Sequence, residues 1–322
     1  MTKCKEPGCN APDTKCSFGE THLSDCKYWP SDSNSEENIV IDDESEVLLP
    51  WTSMALGLTD VEFISGCSKP KIIGVIGAEN AGKTSMLAAW YLLMSKGGLS
   101  QIEKRFAGSY SLIGWEAIAN NLRWEPGRPL CFPPHTPSSF RRSPGLLHTA
   151  IYSQAEDIIQ HYLFADSPGE WFGKWAVNTE SPEAEGASWL VNNANVLLLI
   201  ADRDAISKSG RARSDFKLLT RRLNVESKGR PIALVWTKAD IVEDETVIDG
   251  IRDFVLSILP QINEFHIQVQ INSESDTDNI AENGLLILLK WILKQNSLKV
   301  SLPEYDYVGP DPFFMIQHKD VT

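Results

Sequence analysis

"KIIGVIGAENAGKTS", residues 71–85, decides how the rest of the chain is read. The first six residues hold Ile72, Ile73, Val75 and Ile76, the composition of a short strand buried on both faces. From Lys83 onward, Leu87, Trp90, Tyr91 and Met94 recur at i, i+3, i+4 and i+7, the stripe of a core-facing helix. Between strand and helix, Gly77, Gly82, Lys83 and Thr84 satisfy GxxxxGK[ST]. The order matters physically. Glycines let backbone N–H groups converge on an anion, and the helix N-terminus adds partial positive charge. Residues Glu79, Asn80, Ala81, Gly82, Lys83, Thr84 and Ser85 are thus candidates to cradle phosphates. Lys83 would reach the β and γ oxygens, and the Thr84 hydroxyl would bind Mg²⁺. The competing reading is an ordinary glycine turn, which needs neither the strand before it nor the helix after it.

A loop of this kind serves ATP and GTP equally, so the base must be read elsewhere. "VWTKAD", residues 235–240, places Thr237, Lys238 and Asp240 after a buried strand. A carboxylate there can accept both N1–H and N2–H of guanine, whereas adenine offers neither in that arrangement. Buried opposite adenine, Asp240 would forfeit about 1–3 kcal/mol per lost bond. An ATPase therefore requires Asp240 to be irrelevant. Two further pieces fall in order. In "FADSPGEWF", Asp166 and Gly169 fit an aspartate that holds Mg²⁺ through water and a glycine N–H that senses the γ-phosphate. In "QINSES", residues 270–275, Ser273 could present its N–H to guanine O6, with Ser275 nearly as good.

The surrounding pattern is an α/β one. Candidate strands run over 71–76, 146–153, 160–165, 195–201, 231–236 and 265–271, separated by amphipathic stretches. The second and third are split only by "QAED" and read as an antiparallel hairpin. The expectation is a P-loop G domain with a mixed six-stranded sheet flanked by helices. Leu285, Leu288, Leu289 and Ile292 form a second helical stripe near its end.

Taken together, these motifs resemble the translation-factor-related class of P-loop GTPases over about residues 69–295. "ALGLTDVEFI", "AENAGKTSMLAAWY", "RFAGSYSLIGWE", "HTPSSFRRSPGLLHTAIYS", "ADSPGEWF" and "LLKWIL" further resemble the bacterial double-GTPase proteins, whose genes sit beside a second GTPase in conflict or signalling clusters. The resemblance implies binding of GTP and GDP with Mg²⁺ and a switch acting with other proteins of one system. A second GTPase would be among those partners, and phage defence is one setting for such a system. It also points to Thr136, in "PPHTPSS", as the first-switch threonine that completes the Mg²⁺ shell; a plain loop residue is the alternative.

The chain departs from the pattern in two places. The stretch from about 97 to 145, which must hold the first switch, is long. Where many GTPases carry Gln after the DxxG glycine, this chain has Glu170. A carboxylate is repelled by a γ-phosphate and cannot donate to it, although it can accept from water as a base. The catalytic set of Lys83, Thr136, Gly169 and Glu170 is thus expected to hydrolyse GTP slowly without a partner or a dimer. A nucleotide-stabilised scaffold with little turnover is the alternative. Arg128, Arg141 and Arg142 lie near the first switch, where a surface role competes with a finger in cis. Trp171, Phe172 and Trp175 are either core or a contact surface, and the six histidines show no spacing of a metal or catalytic cluster.

Composition bounds the remainder. Of 322 residues 42% are hydrophobic, and much of the net charge of −13 sits between 31 and 68, where nine acidic residues meet no Lys or Arg. Such a segment repels phosphate backbones, which argues against direct nucleic-acid binding. No apolar run is long enough to span a membrane and no signal core is present, so a cytoplasmic protein is expected. Residues 1–30 form a Cys-rich segment, 31–68 an acidic linker, 69–295 the GTPase domain and 296–322 a docking tail with Tyr305, Tyr307, Phe313 and Phe314. Cys4, Cys9, Cys16 and Cys26 could complete a tetrahedral Zn²⁺ site, although no CxxC pair is present; a reduced, loose segment is the alternative.

Overall fold

A computed structural model describes residues 4, 6–19, 22–23, 26–29, 55–123, 145–240, 245–269 and 284–295. The chain divides into two units, residues 1–48 and 49–322.

The larger unit is built on one sheet. Its strands are β1 (Lys71–Ile76), β2 (Lys104–Gly108), β3 (Gly145–Ser153), β4 (Ile158–Asp166), β5 (Val196–Asp202), β6 (Ile232–Thr237) and β7 (Asn263–His266). They lie in the order β2-β3-β4-β1-β5-β6-β7. β1 pairs in parallel with β4 and β5, and β5, β6 and β7 continue the parallel half. β2, β3 and β4 form an antiparallel edge. The expected hairpin is present, turned at Gln154–Asp157.

Among the described residues the sheet has seven strands, not six. The additional one, "KRFAG", lies inside the stretch assigned to the first switch, and its mostly exposed, basic residues give no strand signal. An edge strand needs none, because its pairing comes from a neighbour and charge on it discourages further pairing. The last strand also falls earlier than the sequence suggests, at 263–266 instead of 265–271. Its residues are only partly buried, so hydrophobicity does not mark its start.

Helices cover both faces. α2 (Lys83–Ser95), α3 (Leu112–Ala119) and α9 (Leu285–Lys294) share one core with Ile73, Val75, Leu198, Ile200, Ala233 and Val235. α1 (Leu58–Cys67), α4 (Gly169–Val177), α5 (Glu185–Asn193), α6 (Arg203–Lys208), α7 (Gly210–Glu226) and α8 (Glu245–Ile258) share the other with Ile72, Leu197, Leu199, Leu234 and Trp236. Alternate residues of β1, β5 and β6 thus feed opposite cores, the two-sided burial that their near-continuous apolar runs require. Both helical stripes are buried as expected, and the Trp90 indole donates to Leu285 O at 2.9 Å, tying α2 to α9. Upstream of β1, Leu56 exchanges backbone bonds of 2.8 and 3.0 Å with Leu146, and Ile64 of α1 enters the core.

The edge strands are clamped at His148. Ser109 Oγ donates to His148 O at 2.6 Å, His148 N–H donates to Ser111 Oγ at 2.7 Å, and Trp115 Nε1 donates to His148 O at 2.7 Å. The Tyr110 N–H donates to His148 Nδ1 at 2.9 Å, which leaves the proton of the neutral ring on Nε2, facing His161 Nδ1 at 2.9 Å. The sequence reading missed this pair. The two histidines are diagonal neighbours on opposite arms of the hairpin, a relation linear spacing does not reveal. Burial, with His161 alongside, pushes His148 down to about 4.

In the smaller unit, Cys9, Ala11, Cys16 and Cys26 are buried together, with Cys4, Leu23, Tyr28 and Trp29 packed on them. All four thiols are free. Hydrogen bonds from Ser17 hold the Cys9 thiol down at about 6. Among the described residues, no group of three or more His, Cys, Asp or Glu is arranged to hold a metal ion. The zinc reading of these cysteines therefore gains no support.

Candidate nucleotide site

The phosphate loop spans the gap between β1 and α2. Asn80 and Gly82 both adopt left-handed backbone, with φ of +57° and +80°. At Gly82, the residue that turns the chain into α2, this is the conformation only glycine adopts without strain. The Lys83 side chain folds back into the loop it closes. Its Nζ donates to Ala78 O at 2.7 Å and to Gly77 O at 3.2 Å, and the residue is 7% exposed. Burial lowers its pKa to about 8, against the pull of Asp166, Glu170 and Glu79. An ammonium so desolvated, bonded to neutral carbonyls, is suited to an anionic phosphate.

β4 and α4 supply the next wall. The Thr84 hydroxyl donates to Asp166 Oδ1 at 2.9 Å, which joins the first turn of α2 to the end of β4. These two oxygens, 82 positions apart in sequence, are the hard donors a Mg²⁺ ion takes. Gly169 starts α4 against the loop itself: a Cβ there would lie 2.2 Å from Glu79 N and 2.5 Å from Ala78 C. Only glycine permits that approach. Glu170 is half-buried, while Glu79 and Asn80 are exposed. Beyond them Trp171, Phe172 and Trp175 are buried in the core, which resolves that alternative in favour of packing.

The segment expected to read the base leaves β6 beside this loop. Thr237, 4% exposed, shares its single hydroxyl proton between Ala81 O at 2.9 Å and Ala201 O at 3.3 Å. Lys238 has a left-handed φ of +56°, and its Nζ lies 2.7 Å from Asp202 Oδ2. Ala239 N–H donates to Ile267 O at 3.1 Å, and Asp240 follows, half-buried. The structure thus gathers Gly77–Ser85, Asp166, Gly169, Glu170 and Thr237–Asp240 at the carboxyl ends of β1, β4 and β6. That edge of an open α/β sheet is where ligands bind. Thr136, Ser273, Ser275, Arg128, Arg141 and Arg142 lie outside the described residues.

A model of the Double-GTPase 2 family matches residues 71–292. The chain belongs to the Double-GTPase 2 family. As a Double-GTPase 2 domain, the α/β unit is a GTP-binding domain, and the resemblance carried by its motifs holds at the level of the family. No curated protein matches the chain. Sequence reasoning missed one residue at the double-GTPase site, Asp202. The signal was present: "LLLIAD" ends a buried strand on an acid, beside the strand that ends in "WTKAD".

Proposed function

We propose that this double-GTPase chain binds GTP and hydrolyses it with Mg²⁺ as a conformational switch within a multi-protein system. The observation that carries the reading is the Thr237 Oγ1 bond to Ala81 O at 2.9 Å. It joins the segment able to tell guanine from adenine to the loop able to hold phosphates. Lys83 and the loop N–H groups would bind the β and γ oxygens, and Asp240 would accept from the guanine edge. Thr84 and Asp166 fit Mg²⁺, with Thr136 as a further candidate ligand and Ser273 as a candidate donor to guanine O6. When bound, the ion neutralises charge on the phosphate oxygens. Gly169 would report the γ-phosphate through its backbone, and Glu170 would accept from the attacking water. Without an amide at that position, turnover is expected to be slow until a partner, a second GTPase or a second copy completes the site.

The wider setting belongs to the same proposal: a cytoplasmic location, a bacterial conflict system such as phage defence, and no direct nucleic-acid ligand. The acidic charge between 31 and 68 argues against a nucleic-acid ligand, and no described helix is long and apolar enough to cross a membrane. A scaffold with little turnover is favoured by one observation, the burial of Trp171, Phe172 and Trp175, which anchors α4 just past Gly169. Phosphate release from GTP, with and without Lys83→Ala, separates the two. A switch releases phosphate well above the variant, and a scaffold releases no more than it. Thermal stabilisation by GTP but not by ATP tests the choice of base.

A further inference from the structure

Asp202 is the last residue of β5 and belongs to none of the nucleotide motifs. Its side chain is 8% exposed, and both oxygens are used. Oδ1 accepts from the Ala205 N–H at 3.1 Å and caps α6. Oδ2 accepts from Lys238 Nζ at 2.7 Å. The Lys238 side chain is 35% exposed, so the carboxylate is the buried member and the ammonium the one that it orients. Asp202 also stands in direct parallel register with Thr237, the first residue of the reading segment.

From Thr237 to Asp240 the chain is tethered at three successive residues. Thr237 is held by its hydroxyl and Ala239 by its backbone N–H, and neither of these bonds depends on a side chain outside the segment. Lys238 is different. It sits in left-handed backbone between those two tethered residues, and its side chain is held by Asp202. Loss of that partner frees the side chain two positions before Asp240.

We infer that Asp202 is a positioning residue for guanine selectivity: by holding Lys238 it sets where the Asp240 carboxylate meets the 2-amino edge of the base. This rests on the guanine reading proposed above. The geometry makes the two duties of Asp202 separable. Asparagine and serine each keep a side-chain oxygen able to cap α6. Neither supplies the anion that Lys238 bonds, so the charge-assisted bond is lost while the cap remains.

The ratio of GDP to IDP affinity reads the position of Asp240 directly. Hypoxanthine keeps N1–H and the phosphates but lacks the 2-amino group, so a general loss of stability weakens both nucleotides alike. Affinities for GDP, IDP and ADP are measured on the full chain for wild type, Asp202→Asn and Asp202→Ser, together with thermal midpoints. The expected result is a wild type that prefers GDP over both others. In both variants the GDP/IDP ratio falls about tenfold, with midpoints within a few degrees of wild type. A preserved ratio in both variants, whether or not the midpoint drops, overturns the inference and leaves Asp202 as a helix cap. A wild type that binds ADP as well as GDP overturns the guanine reading and the inference with it.

Discussion

Single side chains decide what this site can bind. Lys83 is buried and bonded to two loop carbonyls, and that burial lowers its pKa to about 8 against the pull of Asp166, Glu170 and Glu79, so the loop holds a desolvated ammonium suited to a phosphate oxygen. Thr237 acts at the same scale. Its hydroxyl serves two carbonyls, one in the phosphate loop and one at the end of β5. Thr237→Val keeps the shape and removes both bonds, leaving buried acceptors without that donor. The expected outcome is a loss of about 1–3 kcal/mol in stability and about tenfold in GDP affinity, measured by urea unfolding and equilibrium binding. Unchanged affinity would mean that the bridge from the reading segment to the loop has no part in binding.

Elements settle which parts of the site can move. α4 begins at the glycine pressed on the phosphate loop and at once drives Trp171, Phe172 and Trp175 into the core. Trp175→Ala should cost about 3–5 kcal/mol in chemical denaturation, as a fully buried aromatic does. A cost below about 1 kcal/mol would contradict its place in the core. The β2–β3–β4 edge carries a different consequence. His148 is neutral in the folded protein, with its proton-accepting Nδ1 committed to the Tyr110 N–H and His161 and the Tyr110 ring facing it. Its folded pKa of about 4 lies below the unfolded value of about 6.5, so the unfolded chain takes up the proton first as pH falls. Stability from this group is therefore complete above about pH 6.5 and is lost progressively down to about pH 4. Between pH 7 and 5 the wild type should lose about 2 kcal/mol more than His148→Gln, which does not titrate there. Equal losses in urea unfolding would contradict the account.

The same elements show how much was legible beforehand. β1, β3, β4, β5 and β6 and the helices α2 and α9 announce themselves, because apolar period reports burial and these elements are the most buried. β2 does not, and β7 does so only with its start misplaced, since edge strands are held by a neighbour's backbone and need no apolar run. Phosphate-loop residues and the TKAD segment could be named because their chemistry requires fixed residue types at fixed spacing. The His148–His161 pair could not, since it forms across strands that meet only in the fold; Asp202 is visible as an acid ending a buried strand, but its bond to Lys238 is not.

At the scale of the larger unit, one sheet brings together segments from residues 77 to 240, to which the proposed function assigns the phosphates at one side of an edge and the base at the other. The family assignment covers this unit, and the central claim is that its base pocket reads guanine. Asp240 carries that claim. Its carboxylate can only accept, whereas the amide of Asp240→Asn both accepts and donates, which suits xanthine, with a carbonyl in place of the 2-amino group. The most direct test is equilibrium binding of GDP and XDP to wild type and to Asp240→Asn. The account predicts that the wild type binds GDP far more tightly than XDP, and that the substitution reverses this order by weakening GDP about a hundredfold and strengthening XDP. A variant that binds GDP as tightly as the wild type would contradict it.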